Sequence, residues 1–195
     1  MWDERYGAEG YFYGTEPNAF LVEHAQMLEG PVLSLAEGEG RNGVFLASLG
    51  LEVLGVDGSA VGLAKAQALA ASRSLKIRTE VADLGLFVPA ENHYRSVVSI
   101  FAHLSSAIRA RLYPLVTRCL KPGGILLLEA YTERQLERNT GGPKDPDLLM
   151  SRSKLEREFP ELQPLLLQEI DREVSEGHGH MGLASVVQFI GRKPR

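Results

Sequence analysis

The chain is poor in cysteine. Cys119 is the only one among 195 residues, so no intrachain disulfide can form and a disulfide-stapled scaffold is excluded. It sits in Leu115-Val-Thr-Arg-Cys-Leu120, a helical-looking stretch that marks it as a buried structural thiol. Long apolar runs are missing too. None approaches the roughly 18 residues a membrane helix needs. Residues 1–10 carry Asp3, Glu4, Arg5 and Glu9 with no apolar centre, unlike a secretory signal peptide. Positive charge is scarce: 21 Lys and Arg against 25 Asp and Glu give a net charge of −4. Wrapping duplex nucleic acid rewards the opposite balance. The basic end Arg192-Lys-Pro-Arg195 reads as a solvated tail. These absences predict a soluble, cytoplasmic protein with neither nucleic acid nor membrane as partner.

What is present is ordinary for a globular domain: 44% hydrophobic and 24% charged residues. The length suggests one domain. It divides into an amino-terminal cap segment and helix (1–30), a central core (31–130), and a loop, helix and closing hairpin (131–195). Short apolar runs at Pro31–Leu35, Glu52–Val56, Lys76–Val81, Ser96–Ile100 and Gly124–Glu129 read as strands of a parallel sheet buried on both faces. Helical stretches separate them: Pro17 to Leu28, stopped by Gly30-Pro31; Ser59 to Ser72, with Ser59 as N-cap; and Ile108 to Leu120, ended by Lys121-Pro-Gly-Gly124. The succession predicts an α/β fold with a doubly wound, mostly parallel sheet. Near the end, Leu165–Val174 and Gly182–Ile190 flank Gly177-His-Gly-His180 and read as an antiparallel hairpin.

The segment richest in chemistry is Val32-Leu-Ser-Leu-Ala-Glu-Gly-Glu-Gly-Arg-Asn-Gly43, a strand running into a glycine turn, after which Val44-Phe-Leu-Ala opens a helix. Gly38-Glu-Gly40-Arg-Asn-Gly43 spells the G-x-G-x-x-G fingerprint, and Asp57 ends the next strand 19 positions after Gly38. That combination points to an adenosine-containing cofactor. A pyrophosphate wants N–H groups and no anions nearby, whereas this loop carries Glu37 and Glu39. The sulfonium and ammonium of S-adenosylmethionine (SAM) would suit them, with Arg41 and backbone N–H groups serving its carboxylate. The charge argument therefore favours SAM over a nicotinamide dinucleotide. An NAD-dependent oxidoreductase remains an alternative on the fingerprint alone.

In order along the chain stand Trp2-Asp-Glu-Arg-Tyr6, Tyr13-Gly-Thr-Glu-Pro-Asn18, Ala36-Glu-Gly-Glu-Gly-Arg-Asn42, Val53-Leu-Gly-Val-Asp57-Gly-Ser59, Ala82-Asp-Leu84 and Leu120-Lys-Pro-Gly-Gly-Ile-Leu-Leu-Leu-Glu129. With these motifs the chain resembles the class I SAM-dependent methyltransferases, and among them the tellurite-resistance methyltransferase-like branch. The resemblance implies a Rossmann-like methyltransferase fold, SAM as cofactor and S-adenosylhomocysteine as product. It implies that Ala36, Glu37, Gly38, Glu39, Gly40, Arg41 and Asn42 form the cofactor loop. Asp57 would accept from the ribose hydroxyls, and Gly58 and Ser59 would lie along the adenosine. Asp83 would meet the adenine amino group, with Leu84 beside the ring. Ile100 and Phe101 would border the methionine arm, and Tyr6 and Tyr13 would close the pocket. Two positions depart from the pattern: Ser34 stands where an acid is usual, and Ala36 where a glycine is usual. Glu37 is the expected substitute for the missing charge. The same departures keep a non-catalytic SAM-binding module as an alternative.

Methyl transfer to a thiol or a reduced chalcogen needs little base assistance, while a hydroxyl or amine acceptor gains from a histidine. A small-molecule acceptor, a thiol or a chalcogen oxyanion, is the expected substrate. His103, just past the fourth strand, and His178, in the hairpin turn, are the candidate catalytic bases. His178 and His180 could face one side of an extended segment, but a third metal ligand is not evident, so no metal is expected. His24 and His93 are assigned no chemistry. The turn-rich loop from Thr140 to Leu149 is a candidate lid.

Overall fold

A computed structural model describes residues 2–177 and 179–195; the candidate base His178 lies outside the described residues. Seven strands form one sheet: β1 (Val32–Leu35), β2 (Val53–Asp57), β3 (Arg78–Val81), β4 (Tyr94–Ile100), β5 (Leu120–Tyr131), β6 (Gln163–Glu176) and β7 (His180–Arg192). Their order is β3-β2-β1-β4-β5-β7-β6. The strands from β3 to β5 are parallel. The last strand, β7, runs antiparallel between β5 and β6. The predicted closing hairpin is thus present, with its second strand inserted against β5.

Alternation along the central strands sends side chains into two cores. Leu33, Leu35, Leu126 and Leu128 pack on one face, with Leu112 and Val116 of α5 (Ser106–Cys119) and Leu155 of α6 (Arg152–Glu158). Val32, Ile125 and Leu127 pack on the other, with Phe20 and Leu21 of α2 (Ala19–His24) and Leu46 of α3 (Arg41–Ser48). Each such fully buried leucine contributes roughly 1.5–3 kcal/mol. The edge strand β3 differs from the expectation of burial on both faces. Its Arg78-Thr-Glu-Val81 is exposed or half-buried, as a sheet edge permits.

Capping decides where the helices begin. Asn18 accepts from Leu21 N, so α2 starts at Ala19 rather than at Pro17, and its last turn tightens into a 3-10 segment, Ala25–Met27. Ser59 accepts from Gly62 N and caps α4 (Ala60–Ser72), as the sequence suggests. A short helix missing from the sequence-based reading, α1 (Trp2–Tyr6), covers the loop between β1 and α3. No helix among the described residues is long and apolar enough to cross a membrane.

Candidate active site

The carboxyl ends of β1, β2 and β4 open onto a cavity of about 560 Å³, within the range of cofactor sites. This is the crevice where strand order reverses between β1 and β4. Asp57, at the end of β2, is fixed by two N–H donors: Gly38 N to Oδ2 at 2.9 Å and Ser59 N to Oδ1 at 2.8 Å. A carboxylate offers about four lone-pair sites, so it keeps acceptor capacity for a ligand. Burial pushes its pKa up, the two N–H donors oppose that, and Asp3 of α1 adds to it.

The glycines of the loop do different jobs. Gly38 has φ 58°, and a Cβ there would lie 2.8 Å from the Tyr6 hydroxyl, so its bare face receives the Tyr6 ring. Gly40 has φ 95°, and a Cβ there would lie 2.6 Å from Ala66 of α4. Gly40 therefore allows the loop to pack on α4, and it does not line the cavity. Ser59 is also outside the lining: its hydroxyl caps α4 and donates to Asp3. Ala36 takes φ 52°. Its departure from glycine leaves a left-handed backbone in place at a cost of about 1–2 kcal/mol.

Both loop glutamates are turned to protein partners. Glu37 is buried, with Oε1 accepting from Gly43 N at 2.7 Å near the start of α3 and Oε2 without a hydrogen-bond partner among the described residues. Gly43 and Gly55 make room for its side chain. Burial pushes it up to about 7, which the nearby Ser34 hydroxyl and the Gly43 N–H only partly offset. Glu39 accepts from Phe12 N at 2.7 Å and pairs with Lys65 of α4 at 3.0 Å. Lys65 also donates to Ala8 O and Gly10 O. Glu39 and Lys65 thus latch residues 8–12 across the loop, a task the charge argument did not foresee. The segment brings Trp2, Tyr6, Tyr13 and Gly14 to the cavity.

Ala36, Arg41, Asn42, Gly58, Asp83, Leu84, Ile100 and Phe101 also line the cavity, together with Glu37, Gly38, Glu39, Asp57, Tyr6, Tyr13 and His103. Asp83 is held by Gly85 N at 2.8 Å. Phe101 and His103 both take positive φ, 51° and 41°, at the end of β4. Such strain is retained where surrounding structure imposes it, commonly at functional sites. His103 stacks on Tyr131 with ring centroids 5.5 Å apart, and among the described residues neither of its nitrogens has a hydrogen-bond partner. Burial, then His180 and Arg5, lower its pKa to about 3, so the ring is neutral.

The sequence-based reading weighed His180 only beside His178 as a possible metal ligand and gave it no catalytic role. His180 lies in the cavity wall between Tyr13 and Phe101, with centroids 4.6 and 4.7 Å away. Its Nδ1 lies 3.3 Å from Glu176 Oε2. Arg41 donates to that same oxygen at 2.7 Å, and Asn18 Nδ2 donates to Oε1 at 2.8 Å. Asn18 also donates to Glu129, which Arg172 and Gln188 satisfy from β6 and β7. The available signal was the Glu176–His180 spacing across the predicted turn. The loop from Thr140 to Leu149, a candidate lid by sequence, does not line this cavity. Thr140 Oγ1 donates to Leu183 O, and Gly141 lies against Gly179, so the loop is tied to the hairpin. Among the described residues no group of three His, Cys, Asp or Glu is placed to hold a metal ion.

Residues 32–124 match a family described as a methyltransferase domain. No curated protein sequence matches the chain. Solved structures share the fold. One, described for the conversion of a disulfide bond into a thioacetal group during echinomycin biosynthesis, is 21% identical with a TM-score of 0.79 and covers 99% of this chain and 91% of its own. TehB from Haemophilus influenzae is 20% identical with a TM-score of 0.73, covering 89% of this chain and 61% of its own. The N-methyltransferase NodS from Bradyrhizobium japonicum WM9, in complex with S-adenosylhomocysteine, is 13% identical with a TM-score of 0.72, covering 100% and 97%.

Proposed function

We propose that this chain, whose residues 32–124 match a methyltransferase domain, is an enzyme that uses SAM to methylate a neutral small molecule at the aromatic end of its cavity. The observation that carries this reading is Asp57, held by Gly38 N and Ser59 N at the mouth of the crevice. In this reading Asp57 accepts from the ribose hydroxyls of the cofactor. Gly58, Asp83 and Leu84 take the adenine, and Ile100 and Phe101 border the methionine arm. Asn42 and the backbone of Ala36 to Arg41 flank its amino-acid end. When bound, the cofactor supplies a methyl group made electrophilic by its sulfonium. The protein's contribution is alignment and exclusion of water. The latched segment from Trp2 to Gly14 covers the crevice. Tyr13, Phe101 and His103 wall the acceptor side.

Of the acceptors the sequence suggested, the charge pattern favours a thiol or another neutral group over a chalcogen oxyanion. Arg41 is the only Lys or Arg among the described lining residues, and it is paired with Glu176. The test is calorimetry with SAM and S-adenosylhomocysteine on the wild type and on Asp57→Ala. Micromolar binding by the wild type, weakened at least tenfold in the variant with its circular dichroism unchanged, is the expected result. Equal affinity of both proteins would remove the ribose contact and the reading built on it.

A further inference from the structure

A buried histidine whose ring is held by an ionised carboxylate is a base with a defined proton-accepting atom. Burial pushes the Glu176 carboxyl up, but the His180 ring and the Arg41 guanidinium outweigh it and hold the group down at about 2. An ionised carboxylate only accepts hydrogen bonds, so the nitrogen facing it, Nδ1, must carry the proton. In the neutral ring Nε2 then keeps the lone pair. The logic is that of a base oriented by a buried acid. His103, a sequence candidate, has no such partner among the described residues.

The groups facing His180 are charged on one side and aromatic on the other. Glu176 of β6 and Arg41 of α3 lie at its Nδ1 side, with Arg5 of α1 acting at longer range. Tyr13, Phe101, His103 and Tyr131 surround the ring, their centroids 4.6 to 6.4 Å away. Burial lowers the His180 pKa, Glu176 opposes this, and Arg41 and Arg5 add to it. The ring is accordingly neutral at neutral pH, with its Nε2 lone pair unprotonated.

We propose that His180 is the catalytic base of the methyl transfer, that Glu176 is its positioning residue, and that the acceptor is a flat ring bearing a weakly acidic O–H or S–H. The inference rests on the methyltransferase reading above and names its acceptor class. The acceptor's lone pair forms the new bond to the methyl carbon as the carbon–sulfur bond breaks toward sulfur. The proton leaving the acceptor passes to His180 Nε2 and from there to water. Of the surrounding rings, Tyr13, Phe101 and His103 line the cavity and offer the stacking and edge contacts that a flat acceptor uses.

The test uses nitrogen-15 histidine-labelled protein saturated with S-adenosylhomocysteine, with 4-fluorophenol as probe and cyclohexanol as its non-aromatic, non-acidic counterpart. Long-range proton–nitrogen spectra, assigned by the resonances lost in His180→Asn, should show His180 protonated at Nδ1. Adding 4-fluorophenol should move the Nε2 resonance, and fluorine spectra should show binding at least tenfold tighter than that of cyclohexanol and at least tenfold tighter than to His180→Asn. In Glu176→Ala, which leaves no acceptor opposite Nδ1, the preference for the Nδ1 proton should disappear. A proton on Nε2 in the wild type, a silent Nε2 on adding the phenol, or equal binding of the two probes would overturn the proposal. If S-adenosylhomocysteine itself does not bind, the cofactor reading fails, and the protonation and phenol measurements are read on the free protein.

Discussion

Glu37→Gln isolates the cost of keeping a carboxylate buried in the loop between β1 and α3. The Glu37 carboxyl has an ordinary value of 4.5 and is pushed by burial to about 7. The folded protein therefore holds this proton more tightly than the unfolded chain does. Between these two values the folded state binds more protons, so stability falls as pH rises, and the loss is complete above about pH 7. At 1.36 kcal/mol per pKa unit, a shift of roughly 2.5 units corresponds to about 3 kcal/mol. Glutamine keeps the shape and the acceptor for Gly43 N but cannot ionise. The stability of the variant relative to the wild type should rise by about 3 kcal/mol from roughly pH 4.5 to pH 8. Comparing the two proteins removes the titration of uncoupled buried groups such as His180, while Asp57, whose charge adds to the upward push on Glu37, belongs to the measured difference. Urea unfolding followed by far-ultraviolet circular dichroism gives the numbers. Tryptophan fluorescence would not serve, because Trp2 is the only tryptophan and reports on α1. A difference that is flat with pH, or that shrinks as pH rises, would refute the account of Glu37 as a desolvated carboxylate.

Gly40→Ala should destabilise by about 2–5 kcal/mol, combining a left-handed alanine with overpacking against Ala66, and the same urea titrations measure it. A loss under about 0.5 kcal/mol would mean that the loop shifts freely on α4. Cys119 is buried, and burial pushes its thiol up to about 12. The native protein should therefore leave Ellman's reagent unreacted over the time in which the urea-unfolded chain reacts fully.

The sheet was legible because its central strands are buried on both faces, which leaves apolar runs such as Val97–Ile100 and Ile125–Leu128 in the sequence. Strand β3 was read as another buried apolar run, and there the burial expectation failed, since its residues meet water at the sheet edge. The cavity lining was largely readable from motifs, because backbone turns at Gly38 and Asp57 are local. What failed to show was the use of each carboxylate. Glu37 and Glu39 sit in a loop whose composition suggests cofactor contacts. Their actual partners are Gly43, Phe12 and Lys65, and the last two lie 27 and 26 positions away. The same holds for Glu176, whose partners Arg41 and Asn18 are 135 and 158 residues distant. Pairings at that range are set by the assembled sheet, and no local pattern encodes them.

Glu129 lies fully buried on β5, yet its partners Arg172 and Gln188 belong to strands synthesised later. A nascent chain that has folded only through β5 would present that strand as an open sheet edge carrying a carboxylate in its middle. A charge on an unpaired edge discourages the wrong strand from adding to it. In the finished sheet that edge is closed by β7, and the same carboxylate becomes the point where Asn18, Arg172 and Gln188 converge.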